Sequence, residues 1–263
     1  MGKITDALKK ATEERMTRLE KLDSRDEVKY QFIAQKTVDS KIDPRIVAFY
    51  EPASPVAEQY RILRTNILAL GTNKILKTVA VTSSIHSEGK TISCINFAIS
   101  MAQDLNKKKI LLIDADMRRG RIKSYLGINT ELGLSDLLAD KTTTEEEFIS
   151  IGGIENLTVL PCGKYPNNPA ELLGSMKFRN LLSLLKERYD FIIIDCPPII
   201  PVTDANIIGP LTDGVVMAVQ AGRTQRGVVK NSEAILKQAN TKLLGYIITN
   251  VQYHIPAYIY RYL

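Results

Sequence analysis

The stretch that most limits what this chain can fold into is Ser84-Ile-His-Ser-Glu-Gly89-Lys90-Thr91. It follows the apolar run LKTVAVTSS over 76–84 and precedes a helical pattern over 90–105. Strand, loop and helix in that order form a phosphate-binding loop, because the backbone N–H groups of loop and helix start surround a triphosphate. Gly89 lets the backbone come close, Lys90 reaches the β and γ phosphates, and the Thr91 hydroxyl takes Mg²⁺. Ser84 stands where this pattern usually has its first glycine. Ser84, Ile85, His86, Ser87, Glu88, Gly89, Lys90, Thr91 and Ile92 are the expected nucleotide-binding set.

The rest of the chain supplies the sheet such a loop needs. KKILLIDAD (108–116), LTVLPCG (157–163), YDFIIIDCPP (189–198), GVVMAVQAG (214–222) and LLGYIITNV (243–251) read as further strands, with helices over 175–189 and 225–239. Near-continuous Val/Ile/Leu runs alternating with helices predict a mostly parallel sheet covered by helices on both faces, an α/β P-loop NTPase fold. Ligands of such sheets sit at the carboxyl ends of the strands.

Two of those ends carry carboxylates, Asp114 with Asp116 and then Asp195. A desolvated charge needs a partner, and Mg²⁺ with a phosphate chain is one. Caps or turns are the plainer reading of each Asp taken alone. The convergence of three strand ends favours a metal–nucleotide site.

Composition excludes several classes. No apolar run approaches the ~20 residues that cross a bilayer, and the start, MGKITDALKKATEER, has neither an apolar signal core nor the myristoylation pattern. A cytoplasmic protein is expected. Cys94, Cys162 and Cys196 are too far apart for a metal set and read as buried thiols. The net charge of +6 is spread among acids, so no nucleic-acid partner is expected.

A P-loop, an Asp114-Ala-Asp116-Met-Arg118 box and an Asp195-Cys-Pro-Pro box together resemble the deviant P-loop ATPases. Members of that superfamily include cell-division and partition ATPases, which carry a signature Lys where this chain has Ile85. Arg118 instead resembles the bacterial tyrosine kinases of capsule and exopolysaccharide synthesis. Glu58-Gln-Tyr-Arg61-Ile-Leu-Arg64 resembles their Ex₂Rx₂R subunit-contact motif, and NNPAELLGS (167–175) resembles another of their segments. The resemblance covers about residues 50–263, and the opening helix is similar to the start of stand-alone cytoplasmic members.

That resemblance implies ATP and Mg²⁺, with Lys90, Asp114, Asp116 and Asp195 catalytic and Thr91, Asp116 and Asp195 at the metal. Asp114 is the expected base, with Asp116, which also lies beside the metal, as the alternative. The resemblance implies an adenine contact for Asn250, which otherwise reads as a turn residue. It further implies a ring-type homo-oligomer built through Glu58, Arg61 and Arg64. Recruitment to the inner membrane face by a membrane-bound polysaccharide co-polymerase or activator also follows, as do other tyrosine-containing protein substrates. A salt-bridge ladder on a solvated face is the alternative for the Glu58 helix. For the whole chain the alternative is a nucleotide-switched positioning ATPase.

The end, NVQYHIPAYIYRYL, holds Tyr253, Tyr258, Tyr260 and Tyr262. Period two makes it a plausible last strand, whereas the resemblance makes it an autophosphorylation cluster. The expected organisation is an amphipathic helix over 1–22, a linker or arm over 23–50, the P-loop domain over 51–252 and the tyrosine cluster over 253–263.

Overall fold

The computed structural model describes residues 41–71, 76–139 and 148–251, and the backbone of 35–37. The expected helix within 1–22, the first part of the expected linker, and Tyr253, Tyr258, Tyr260 and Tyr262 lie outside the described residues.

In chain order the elements are β1 (Gln35–Thr37), α1 (Val47–Tyr50), α2 (Pro55–Leu70), β2 (Thr78–Ser83), α3 (Lys90–Ala102), β3 (Ile110–Asp114), α4 (Ile122–Tyr125) and α5 (Leu134–Leu138). They continue with β4 (Ile149–Ile151), β5 (Leu157–Leu160), α6 (Pro169–Gly174), α7 (Met176–Arg188), β6 (Phe191–Asp195) and α8 (Asp204–Ile208). A 3₁₀ turn (Gly209–Leu211), β7 (Gly214–Gln220), α9 (Arg226–Gln238) and β8 (Leu243–Thr249) follow. The strands form one sheet in the order β1-β4-β5-β3-β6-β2-β7-β8. Every pairing is parallel except β4 with β5.

All six strands expected from the apolar runs are present, each shorter than the run that signalled it. The two additional strands, β1 and β4, have three residues each, too few to establish a period in sequence. Residues 41–50 also differ from a linker. Ile42, Ile46 and Ala48 are buried, Ala48 N donates to Asn96 Oδ1 at 2.9 Å, and Gln103 Nε2 donates to Ala48 O at 3.1 Å. The segment is tied down along α3. The polar composition of the stretch 23–50 as a whole concealed this, because a few apolar side chains, Ile42, Ile46, Ala48 and Phe49, do the packing.

Alternation explains why both sheet faces are covered. Val79, Val81, Ile110, Leu112, Phe191 and Ile193 share one apolar cluster with α3. Ala80, Leu111, Ile113, Ile192 and Ile194 are equally buried but lie outside that cluster, on the opposite face. Of the 13 residues in α3, 11 are buried, so it is a central helix rather than an amphipathic surface one. Phe97 on α3 meets Phe191 on β6 edge to face, with ring centroids 6.3 Å apart. Packing of this kind fixes the start of α3, and with it the loop before it.

At the entry to α2, Ser54 accepts from Ala57 N at 3.2 Å, and Pro55 fills the first helical position, where its missing N–H costs nothing.

Candidate active site

The loop between β2 and α3 is held in a strained form. Ser87 and Gly89 both take positive φ (63° and 81°), and a Cβ on Gly89 would stand 3.3 Å from Thr249 Cγ2. Gly89 is the cap of α3 and offers no side chain to it, and the first turn of α3 contains no acid. The free N–H groups at that helix end are therefore left for an external anion.

Lys90 Nζ lies 2.9 Å from Asp116 Oδ2, 3.6 Å from Asp195 Oδ1 and 3.4 Å from Thr91 Oγ1. Burial opposes its charge, but Asp195 and Asp116 outweigh burial and hold the ammonium above its ordinary range. Thr91 donates to Asp195 Oδ2 at 2.7 Å. Asp114 and Asp195 are direct partners across the β3–β6 ladder and are fully buried. Burial, then the neighbouring Asp195, raises Asp114. Burial also raises Asp195, partly offset by Lys90 and the Thr91 hydroxyl. The backbone N–H groups of Asp116 and Ile122 donate to Asp114 at 3.2 and 3.0 Å. Gly120 lies close against this arrangement; a Cβ there would meet Cys162 Sγ at 2.2 Å and Asp114 Oδ2 at 3.0 Å.

The donors fit Mg²⁺. Asp195 Oδ1 is buried and accepts no hydrogen bond, and with Thr91 Oγ1 and Asp116 it makes a hard oxygen set. Mg²⁺ commonly takes one or two carboxylates and completes its shell with phosphate and water, so a full protein cage is not required.

Lys90, Thr91, Asp114, Asp116 and Asp195, far apart in sequence, thus meet at one point. The other expected residues have varied positions. Ser84 is buried, with its hydroxyl 3.6 Å from Met217 Sδ. Ile85 is half-buried and Ser87 exposed, and Ile92 packs toward the core. Burial and then the charge of Arg119 lower His86. The side chain of Glu88 is buried and spent on the loop's support. It accepts from Ile85 N at 2.8 Å, from Gln220 N at 3.4 Å and from the Thr224 hydroxyl. Asn250 is exposed in a left-handed conformation (φ 52°) directly after β8, which its side chain tolerates well.

Away from the site, Arg61 Nε donates to Glu58 Oε2 at 2.6 Å within α2, and Arg64 Nη1 donates to Ser100 O at 2.6 Å near the end of α3. Part of this motif's bonding is therefore intramolecular. Cys94, Cys162 and Cys196 are buried free thiols, and burial pushes Cys162 up to about 12.

Sequence reasoning missed the second wall of the loop. Arg223 Nη1 donates to Ser87 O at 2.9 Å and to Gln220 Oε1 at 3.0 Å, and Thr249 Oγ1 donates to Glu88 O at 2.8 Å. The β7–α9 turn and the end of β8 therefore clasp the phosphate loop. Their available signal was position, since both follow strands at the carboxyl edge where ligands bind. Asp204 was missed too; it is buried and holds Arg118 in a fork of 2.9 and 3.1 Å.

The family described as AAA domain matches residues 76–244. Tyrosine-protein kinase YwqD of Bacillus subtilis (strain 168) is 35% identical over 81% of this chain and 89% of its own length. The chain belongs to the bacterial tyrosine-protein kinases. Tyrosine-protein kinase CpsD of Streptococcus agalactiae is also 35% identical, over 84% of this chain and 91% of its own. The solved kinase domain of Escherichia coli tyrosine kinase ETK matches with TM-score 0.75 and 28% identity, covering 89% of each chain. The cell-division ATPase MinD of Pyrococcus furiosus, at 22% identity and TM-score 0.55, shares the fold alone.

Proposed function

We propose that this chain is an ATP- and Mg²⁺-dependent protein-tyrosine kinase. It phosphorylates Tyr253, Tyr258, Tyr260 and Tyr262 of another copy of itself and thereby regulates capsular or exopolysaccharide synthesis or export. The observation that carries the reading is the convergence of Lys90, Thr91, Asp116 and Asp195 at the N-terminus of α3, with Asp195 Oδ1 accepting no hydrogen bond.

In the reaction the acceptor phenol oxygen bonds to the γ phosphorus, the bond from that phosphorus to the β,γ-bridging oxygen breaks, and ADP leaves. The phenol proton passes to a carboxylate. Such transfer depends on positioning and charge neutralisation more than on covalent help. The α3 N-terminus and Lys90 hold the phosphate chain. Thr91, Asp195 and Asp116 would hold Mg²⁺, which when bound neutralises phosphate charge. Asp114 is the proposed base, since burial and Asp195 raise its proton affinity toward neutral pH, where a base works best.

The proposed assembly is a ring in which Glu58, Arg61 and Arg64 meet a neighbour. Recruitment to the inner membrane face would come through a membrane-bound co-polymerase or activator. Among the described residues no helix is long and apolar enough to cross a membrane. Other tyrosine-containing proteins are proposed as further substrates.

Lys90→Ala tests the nucleotide site. Titration calorimetry should show Mg-ATP affinity falling at least about tenfold, the scale of a lost charge-assisted contact, with an unchanged folded spectrum. Unchanged affinity would remove the P-loop assignment.

A further inference from the structure

Directly after Asp116 the chain places Arg118, Arg119, Arg121 and Lys123. Among the described residues, Arg118 is the one of these four side chains held in an ion pair, in its fork on buried Asp204. Arg119 and Arg121 are exposed, and among the described residues no ion pair or side-chain hydrogen bond engages either guanidinium.

The turn that carries them is nevertheless fixed to the reaction centre. Arg119 N donates to Asp116 Oδ1 at 3.0 Å, Ile122 N donates to Asp114 Oδ2 at 3.0 Å, and the Tyr165 hydroxyl donates to Gly120 O at 3.2 Å. Between the two arginines, Gly120 has no room for a Cβ. Arg119 lies toward the phosphate loop, where after burial it is the largest influence lowering His86. Arg121 lies toward Tyr165, whose phenol is raised by burial, Cys162 and the carboxylates while Arg121 opposes the rise. Two unengaged guanidiniums thus stand on a rigid turn beside three carboxylates.

We propose that Arg119 and Arg121 form a phosphotyrosine subsite, which grips an already phosphorylated tyrosine of the acceptor segment while a neighbouring tyrosine reacts. The proposal rests on the kinase reading above. In an extended chain, residues two apart face the same side about 7 Å from each other. Tyr258, Tyr260 and Tyr262 have that spacing. A phosphotyrosine carries about −1.5 to −2 charge and three acceptor oxygens, which suit guanidinium forks. Without those forks, Asp114, Asp116 and Asp195 would repel a partly phosphorylated segment and modification would stall after the first transfer. With them, each phosphate favours the next.

The experiment uses the full chain with its four terminal tyrosines changed to Phe, and synthetic peptides of residues 252–263 either unmodified or phosphorylated at Tyr260. Initial rates and fluorescence anisotropy are measured for both peptides. The primed peptide should show KM and Kd at least about tenfold lower, the effect of one or two charge-assisted hydrogen bonds. Arg119→Gln with Arg121→Gln should erase that difference, leaving the KM for ATP and the rate on the unmodified peptide within about twofold. Equal affinity of the parent chain for both peptides overturns the proposal. So does a double variant that weakens ATP binding while keeping the preference for the primed peptide, since the guanidiniums would then serve the nucleotide. If the parent phosphorylates neither peptide, the kinase reading fails separately, and anisotropy with the primed peptide still decides the subsite.

Discussion

Glu88 illustrates how much of this site depends on one side chain that ties the phosphate loop to its neighbours. Its buried carboxylate accepts from Ile85 N, Gln220 N and Thr224, so it joins the phosphate loop to the β7–α9 turn. In Glu88→Gln one acceptor oxygen becomes a donor facing groups that also donate. Leaving such a buried group unsatisfied costs about 1–3 kcal/mol. The expected result is a KM for ATP raised roughly tenfold or more with kcat changed much less, because the loop is loosened but Lys90 and the carboxylates remain. Steady-state kinetics check it, and an unchanged KM would contradict the clasp. Sequence inspection assigned Glu88 to the nucleotide because it lies inside the motif. Two of its three partners are 132 and 136 residues away, and no local pattern reports them.

Asp114 gives a pH prediction of definite sign. Its folded pKa lies above the unfolded value of ~3.9 because burial and Asp195 disfavour the anion. Below the unfolded value both states are protonated and the contribution to stability is fully present. It is lost as pH rises toward the elevated folded pKa, since the unfolded chain releases its proton first. Melting temperature of the nucleotide-free protein should therefore fall from mildly acidic pH through neutrality, and Asp114→Asn should flatten that slope. Parallel melting curves for parent and variant across this range would rule the effect out.

At the scale of elements, strand and helix type were readable wherever an apolar run was long. The six longer strands follow from near-continuous Val/Ile/Leu runs and α3 from its place directly after the phosphate loop, and α2 starts where Ser54 caps it and Pro55 takes its first position. β1, β4 and the packed segment 41–50 were not readable, because three-residue strands and a few buried side chains leave no periodic signal. α2 poses the open question at this scale. Its Glu58–Arg61 pair is solvent-exposed, and such pairs contribute only about 0–1 kcal/mol. A purely intramolecular role is therefore worth little to the monomer. Glu58→Ala combined with Arg61→Ala and Arg64→Ala should convert an oligomer to monomer by light scattering, with a modest loss of melting temperature from the Arg64–Ser100 contact. An unchanged mass would return this helix to a salt-bridged surface.

For the whole molecule, the structure adds a connection that the linear sequence conceals. Thr249, at the end of β8, is bonded to the phosphate loop through Glu88 O, and Tyr253 follows four residues later. Thr249 is thus a root beside the phosphate loop from which the chain continues toward the proposed tyrosine cluster. An extended chain covers at most ~3.3–3.6 Å per residue, so Tyr262 could lie more than ~40 Å from that root, beyond the width of one domain of this size. The reach supports transfer to a neighbouring copy. The most direct test mixes a Lys90→Ala chain, which keeps its tyrosines but lacks the phosphate-binding Lys, with an otherwise intact chain whose four terminal tyrosines are Phe. After incubation with Mg-ATP, mass spectrometry should find phosphate on Tyr258, Tyr260 and Tyr262 of the Lys90→Ala chain. If those tyrosines stay unmodified while the unaltered protein labels itself at a rate independent of its concentration, transfer between copies is contradicted.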